Sequence, residues 1–97
     1  MNIVIVGTGY VGLVTGVGFA EQGHKVSFID LDSSKIEKLK NKQLPFFEPD
    51  LDTYFSKEEN FKRMSFNSSY NSLNWDDSEI VFTVSYTHLR AHETYVH

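Results

Sequence analysis

An α/β fold built on a parallel sheet is predicted by three features of the sequence. Short apolar runs bounded by turn residues alternate with segments of helical character. The first run, Asn2-Ile3-Val4-Ile5-Val6, is apolar at successive positions rather than at every second one, the pattern of a parallel strand covered on both faces. That run passes directly into Gly7-Thr8-Gly9-Tyr10-Val11-Gly12, a glycine loop at the head of a helix, which is the order that a phosphate cradle requires.

In the loop, Gly7 suits the tight turn out of the strand, Gly9 carries no Cβ to hold a pyrophosphate off the backbone, and Gly12 lets the helix pack closely on the strand. The helix start then offers unpaired N–H groups and about half a positive charge to an anion. This first helix is predicted from Tyr10 to about Gln22, with Gly23 as the residue that ends it. Gly16 and Gly18 lie inside it, at a cost of about 1 kcal/mol each relative to alanine that close packing can offset. Lys25-Val26-Ser27-Phe28-Ile29-Asp30 is the second strand. Asp30 closes it near the spacing of about 20 residues at which a carboxylate accepts hydrogen bonds from the adenosine ribose of a dinucleotide.

A second helix is predicted from about Ser34 to Lys42, capped by Asp32 or Ser33 and carrying Ile36 and Leu39 as a narrow apolar stripe. Lys35 lies early in it, beside the place that Asp30 defines. Leu44-Pro45-Phe46-Phe47-Glu48-Pro49-Asp50-Leu51 is a loop leading to a short helical segment around Leu51 to Phe55. Polar residues from Ser56 to Asn60 lead to a third strand near Arg63 to Phe66, Asn67 to Asn74 hold a turn or short helix, and Glu79-Ile80-Val81-Phe82 is the fourth strand. Arranged by the rules for such units, these elements are the N-terminal part of a doubly wound parallel Rossmann sheet, incomplete, with strand order 3-2-1-4 and the nucleotide crevice between strands one and four.

Composition narrows the function classes. A chain of 97 residues holds one domain. The formal charge is −4 and the nine basic residues form no long run, so neither nucleic acid nor a membrane surface is an expected partner. With no cysteine there is no disulfide, thiolate metal site or cysteine nucleophile within these residues. The start lacks a basic segment before its apolar run, and no apolar run reaches the roughly 18 residues of a membrane span, so a cytoplasmic location is expected.

Three stretches together resemble the UDP-glucose/GDP-mannose 6-dehydrogenases, over Met1 to about Phe82. They are Ile5-Val6-Gly7-Thr8-Gly9-Tyr10-Val11-Gly12-Leu13-Val14-Thr15, then Phe28-Ile29-Asp30 with Lys35, then Leu44-Pro45-Phe46-Phe47-Glu48-Pro49-Asp50-Leu51. Asp50 departs from the pattern, which has glycine there. The resemblance implies the N-terminal NAD-binding domain of an enzyme that oxidises the C6 alcohol of a nucleotide sugar to the uronic acid, in two hydride transfers. It places Gly7, Gly9, Tyr10, Val11 and Gly12 at the pyrophosphate of NAD, and Asp30 and Lys35 at its adenosine ribose. It also implies a homo-oligomeric parent that binds the nucleotide sugar, with a cysteine nucleophile, a lysine and acidic groups downstream. No catalytic residue is expected in this chain, and the 97 residues alone are expected to be inactive. A rival class is the non-catalytic NAD-sensing regulatory module, which shares the glycine loop and the acidic strand end; Glu48-Pro49-Asp50-Leu51 and Tyr10-Val11-Gly12-Leu13 favour the dehydrogenase.

From Val84 the sequence Val84-Ser85-Tyr86-Thr87-His88-Leu89-Arg90-Ala91-His92-Glu93-Thr94 resembles the conceptual translation of a sequencing adapter. Residues 1–83 are therefore expected to be a partial NAD-binding domain and residues 84–97 a non-native tail. His88 and His92 have the spacing of a zinc pair on a helix, but lack a third ligand, so no metal site is expected.

Overall fold

The computed structural model describes residues 1–69, 78 and 80–83. Its elements run β1 (Asn2–Val6), α1 (Tyr10–Glu21), β2 (Lys25–Ile29), α2 (Ser33–Lys40), α3 (Pro49–Phe55), α4 (Glu58–Lys62), β3 (Met64–Asn67) and β4 (Ile80–Thr83). The strands form one sheet in the order β3-β2-β1-β4. All three pairings are parallel, Ile3 facing Val26 and Ile80, and Val26 facing Met64.

Parallel strands need a crossover between them, and right-handed crossovers from β1 to β2 to β3 bring the helices to one face. The core accordingly joins Ile3, Ile5, Val26, Phe28, Met64 and Phe66 of that face to Leu13, Val17 and Ala20 of α1, Ile36 and Leu39 of α2, and Leu51 and Phe55 of α3. Phe28 and Phe66 stack at 5.2 Å between ring centroids, and Phe55 meets Phe66 edge-on at 6.0 Å. The ring of Phe28 also explains Gly16. A Cβ there would come within 2.2 Å of Phe28 Cζ, so α1 rests on the ring only because that position is bare.

The helix ends follow their capping residues. In α1, Gln22 is the C-cap and Gly23 follows at φ +98, its N–H donating to Ala20 C=O and that of His24 to Phe19 C=O. In α2, Asp32 is the N-cap and accepts from the N–H groups of Ser34 and Lys35. The predicted end of α2 at Lys42 is two residues late. The chain leaves the helix by the same type of turn as α1, with Lys42 itself left-handed at φ +62 and Gln43 N–H donating to Lys38 C=O. Lys42 Nζ lies 5.1 Å from the centre of the Phe61 ring, a cation–π contact.

Ser56 to Asn60 was expected to be a plain connector, and the structure instead has α4 beginning at Glu58. Its buried polar residue, Asn60, donates to Tyr54 C=O at 3.1 Å and to a carboxylate oxygen of Glu21. Arg63 then donates to Ala20 C=O at 3.2 Å and to Asn60 Oδ1 at 3.3 Å, so that one network ties the end of α1 to α3, α4 and the start of β3. The Asn60 amide draws the Glu21 carboxyl below its ordinary range against a smaller opposing effect of desolvation. The turn expected over Asn67 to Asn74 extends beyond the described residues after Ser69, and residues 84–97, with His88 and His92, lie outside them.

Candidate functional site

The glycine loop is shaped by contacts of its own backbone. Gly7 takes φ +106, which an L side chain rarely adopts, and its N–H donates to Ile29 C=O of β2 at 2.7 Å. A Cβ on Gly12 would meet Gly7 C=O at 2.2 Å, so the first turn of α1 lies directly on the loop. Gly9 differs from both. Its φ is −74 and a Cβ added there meets nothing within 4 Å, so neither conformation nor packing calls for glycine. The space in front of Gly9 is open, and a side chain there would occupy it.

Gly9 is also the N-cap of α1 and supplies no side-chain cap. The first intrahelical bond runs from Leu13 N–H to Gly9 C=O at 3.0 Å, leaving the N–H groups of Tyr10, Val11 and Gly12 without intrahelical acceptors. No acidic residue stands in that turn to compete for them. Tyr10 and Val11 are 52% and 48% exposed beside the loop, and the Tyr10 ring leans on Phe46 at 5.5 Å. Residues of the loop before α3 thus border the same mouth.

Asp30 follows β2, its N–H donating to Asn67 C=O of β3. Its Oδ2 accepts from Thr8 N–H at 2.9 Å and from the Thr8 hydroxyl at 2.6 Å, and its Oδ1 accepts from Asp32 N–H at 3.0 Å. Lys35 Nζ is 3.9 Å from Oδ2. Desolvation pushes this carboxyl up, but the Thr8 hydroxyl, the two backbone N–H groups and the Lys35 charge together outweigh it and hold the group below its ordinary range. Asp32 is committed elsewhere: its Oδ1 accepts from the Ser34 hydroxyl at 2.7 Å and caps α2, which lowers its own carboxyl as well.

The structure therefore brings Gly7, Gly9, Tyr10, Val11 and Gly12 together at one helix end, links Asp30 to them through Thr8, and adds Lys35 through Asp30. Two participants escaped the sequence reading, Thr8 and Phe46. For Thr8 a signal existed: β1 and β2 run parallel with Val6 opposite Ile29, which carries the residues just after them to the same height. Phe46 had none, because the distance it covers back to Tyr10 depends on a loop path. Among the described residues no three His, Asp or Glu side chains group as a metal site would need, and no helix is long and apolar enough to cross a membrane.

The chain is similar to known proteins over most of its length. The family model described as "UDP-glucose/GDP-mannose dehydrogenase family, NAD binding domain" matches residues 1–94. The UDP-glucose 6-dehydrogenase YwqF of Bacillus subtilis is 47% identical over 70 residues, which are 72% of this chain and 16% of that protein. The UDP-glucose 6-dehydrogenase of Rickettsia bellii is 42% identical over 84 residues, 87% of this chain and 19% of the relative. Among solved structures, GDP-mannose dehydrogenase from Pseudomonas aeruginosa superposes with a TM-score of 0.77 at 29% identity, covering 88% of this chain and 19% of that one. A UDP-glucose dehydrogenase from Pyrobaculum islandicum gives 0.75 at 30% identity, covering 86% and 19%. The chain thus spans less than a fifth of the length of each of these proteins.

Proposed function

Because the chain belongs to the UDP-glucose/GDP-mannose dehydrogenase family, as its NAD-binding domain, we propose that it grips the adenosine half of NAD for an enzyme that oxidises the C6 alcohol of UDP-glucose to the uronic acid. The observation that carries this reading is the free space at Gly9, in front of an uncapped helix end and beside an ionised Asp30. NAD, when bound, supplies the acceptor for the hydride that leaves the alcohol carbon. Everything else proposed here is work done by this chain. The N–H groups of Tyr10, Val11 and Gly12, with the positive end of α1, hold the pyrophosphate; Gly7 and Gly12 keep the loop low enough for it to reach them. Asp30 accepts from the ribose, and Lys35 sits beside it to balance charge as the phosphates arrive. Tyr10 and Val11 shield one side of the cradle from water.

The same reading assigns no catalytic residue to these 97 residues, which hold no cysteine. The nucleotide-sugar site and the reacting groups belong to parts of the parent enzyme that this chain does not include, and the parent is a homo-oligomer. It also takes residues 1–83 as the domain proper and residues 84–97 as non-native, although the family match itself extends to residue 94.

Titration calorimetry of the 97-residue chain with NAD and with ADP-ribose tests the assignment. The expected result is saturable binding at one site for both, with no NADH formed when UDP-glucose is added. No binding of either ligand would refute the adenosine grip; sustained turnover after rigorous purification would refute the absence of catalytic groups.

A further inference from the structure

Thr8 is the one buried threonine in a loop otherwise built of glycine and exposed or half-exposed residues, and both of its polar donors aim at one oxygen. An ionised carboxylate has about four acceptor positions, two on each oxygen. At Asp30, Thr8 occupies both on Oδ2, and Asp32 N–H occupies one on Oδ1. Among the described contacts, acceptor capacity is left on Oδ1. Thr8 is itself held between Gly7, whose N–H is tied to Ile29, and Gly9 at the head of α1. The loop that would meet phosphate and the carboxylate that would meet ribose are thus one hydrogen-bonded unit, joined through the N–H and the hydroxyl of Thr8.

We infer that Thr8 is a positioning residue: its hydroxyl locks the Asp30 carboxylate against the glycine loop, so that Oδ1 alone is presented to a ribose hydroxyl of the bound dinucleotide. The inference rests on the adenosine grip proposed above. Without the hydroxyl, Thr8 N–H, Asp32 N–H and the Lys35 charge still hold the carboxylate, but more weakly, and its population spreads toward the other two of its three staggered rotamers. Affinity falls by the fraction of time the competent one is populated, up to about threefold at the limit where the three become equal.

The test compares wild type, Thr8→Val, which keeps the shape and removes the donor, and Thr8→Ser, which keeps the donor. ADP-ribose affinity is read by calorimetry, and the ionisation of Asp30 is read by a carbon-13 carboxyl titration that needs no ligand. The expected outcome is a measurable loss of up to about threefold in Thr8→Val, near-complete rescue in Thr8→Ser, and an Asp30 carboxyl that titrates higher in the valine variant than in the other two. In an Asp30→Ala background the valine change should cost nothing further, because Thr8 acts through Asp30. Should Thr8→Val not fold, Thr8→Ala removes the hydroxyl without setting a methyl group against the carboxylate. Equal affinity in wild type and Thr8→Val, losses that multiply in the double variant, or an Asp30 carboxyl in its ordinary range in the wild type would each overturn the inference. A wild-type chain that binds no ADP-ribose overturns the adenosine grip itself and takes this inference with it, an outcome distinct from binding that ignores Thr8.

Discussion

The single negative charge at Asp30, proposed above to meet the ribose, should set which dinucleotide the loop prefers. The 2′-phosphate of NADP would replace a ribose hydroxyl that Asp30 is proposed to accept from. Two like charges about 4 Å apart repel by up to about 4 kcal/mol at an effective dielectric near 20. Sites for NADP reverse that sign with an arginine, and here the positions after Asp30 are Leu31, Asp32 and Ser33. Lys35 is the cation at hand, but its Nζ is already drawn toward Asp30 at 3.9 Å, and a flexible ammonium is a poor match for a phosphate that a second acid faces. NAD should therefore bind more tightly than NADP. Asp30→Ala should weaken NAD and narrow its advantage, as read from dissociation constants of both cofactors; an unchanged ratio in the variant would sink the role given to Asp30.

Within α1, two glycines two positions apart have opposite consequences. Gly16 faces the fully buried Phe28 ring, and Gly18 faces open space. Gly16→Ala should cost about 2 kcal/mol, since the ring is stacked on Phe66 and can yield only by disturbing the core. Gly18→Ala should instead gain close to 1 kcal/mol from helix propensity alone. Urea unfolding of both variants checks the pair, and a gain at Gly16 or a loss at Gly18 would show that α1 is seated differently. Helix α1 was legible because its start, glycine loop and stop are all local signals. Helix α4 was not: Glu58-Glu59-Asn60-Phe61-Lys62 has no apolar period, and the residue it buries is an asparagine whose partners, Glu21, Tyr54 and Arg63, come from three other places in the chain. The left-handed turn at Lys42 was hidden for a related reason, as lysine is not the residue that such a turn selects and a contact with Phe61 accompanies it. The site divides along the same line. Residues that act through backbone, such as Gly7 and Gly12, were visible in the motif, whereas Thr8 and Phe46 act through partners that only the fold supplies.

At the scale of the whole molecule, the helices cover one face of a four-stranded sheet whose edges among the described residues are β3 and β4. Edge strands leave ladder groups unpaired, and a chain of this size buries only about two-thirds of the surface its unfolded form exposes. The 97-residue chain should accordingly be of modest stability, with a thermal midpoint no higher than about 60 °C by calorimetry. A cooperative transition well above that in a monomer would mean that the core around Phe28, Phe55 and Phe66 contributes more than its area suggests. The clamp between Thr8 and Asp30 bears on how such a chain comes to be folded at all. Its partners are 22 residues apart, whereas β1 meets β4 only across nearly the full length described. Each doubling of a closed loop adds about 0.6 kcal/mol of entropy to be overcome, so the nearer closure comes first. Every group of the proposed grip is contributed by one βαβ unit and the first turn after it. During synthesis, which proceeds from the N-terminus, every residue of the proposed grip has been made before β3 and β4 exist, and a dinucleotide caught there would hold β1 to β2 while the remaining strands arrive.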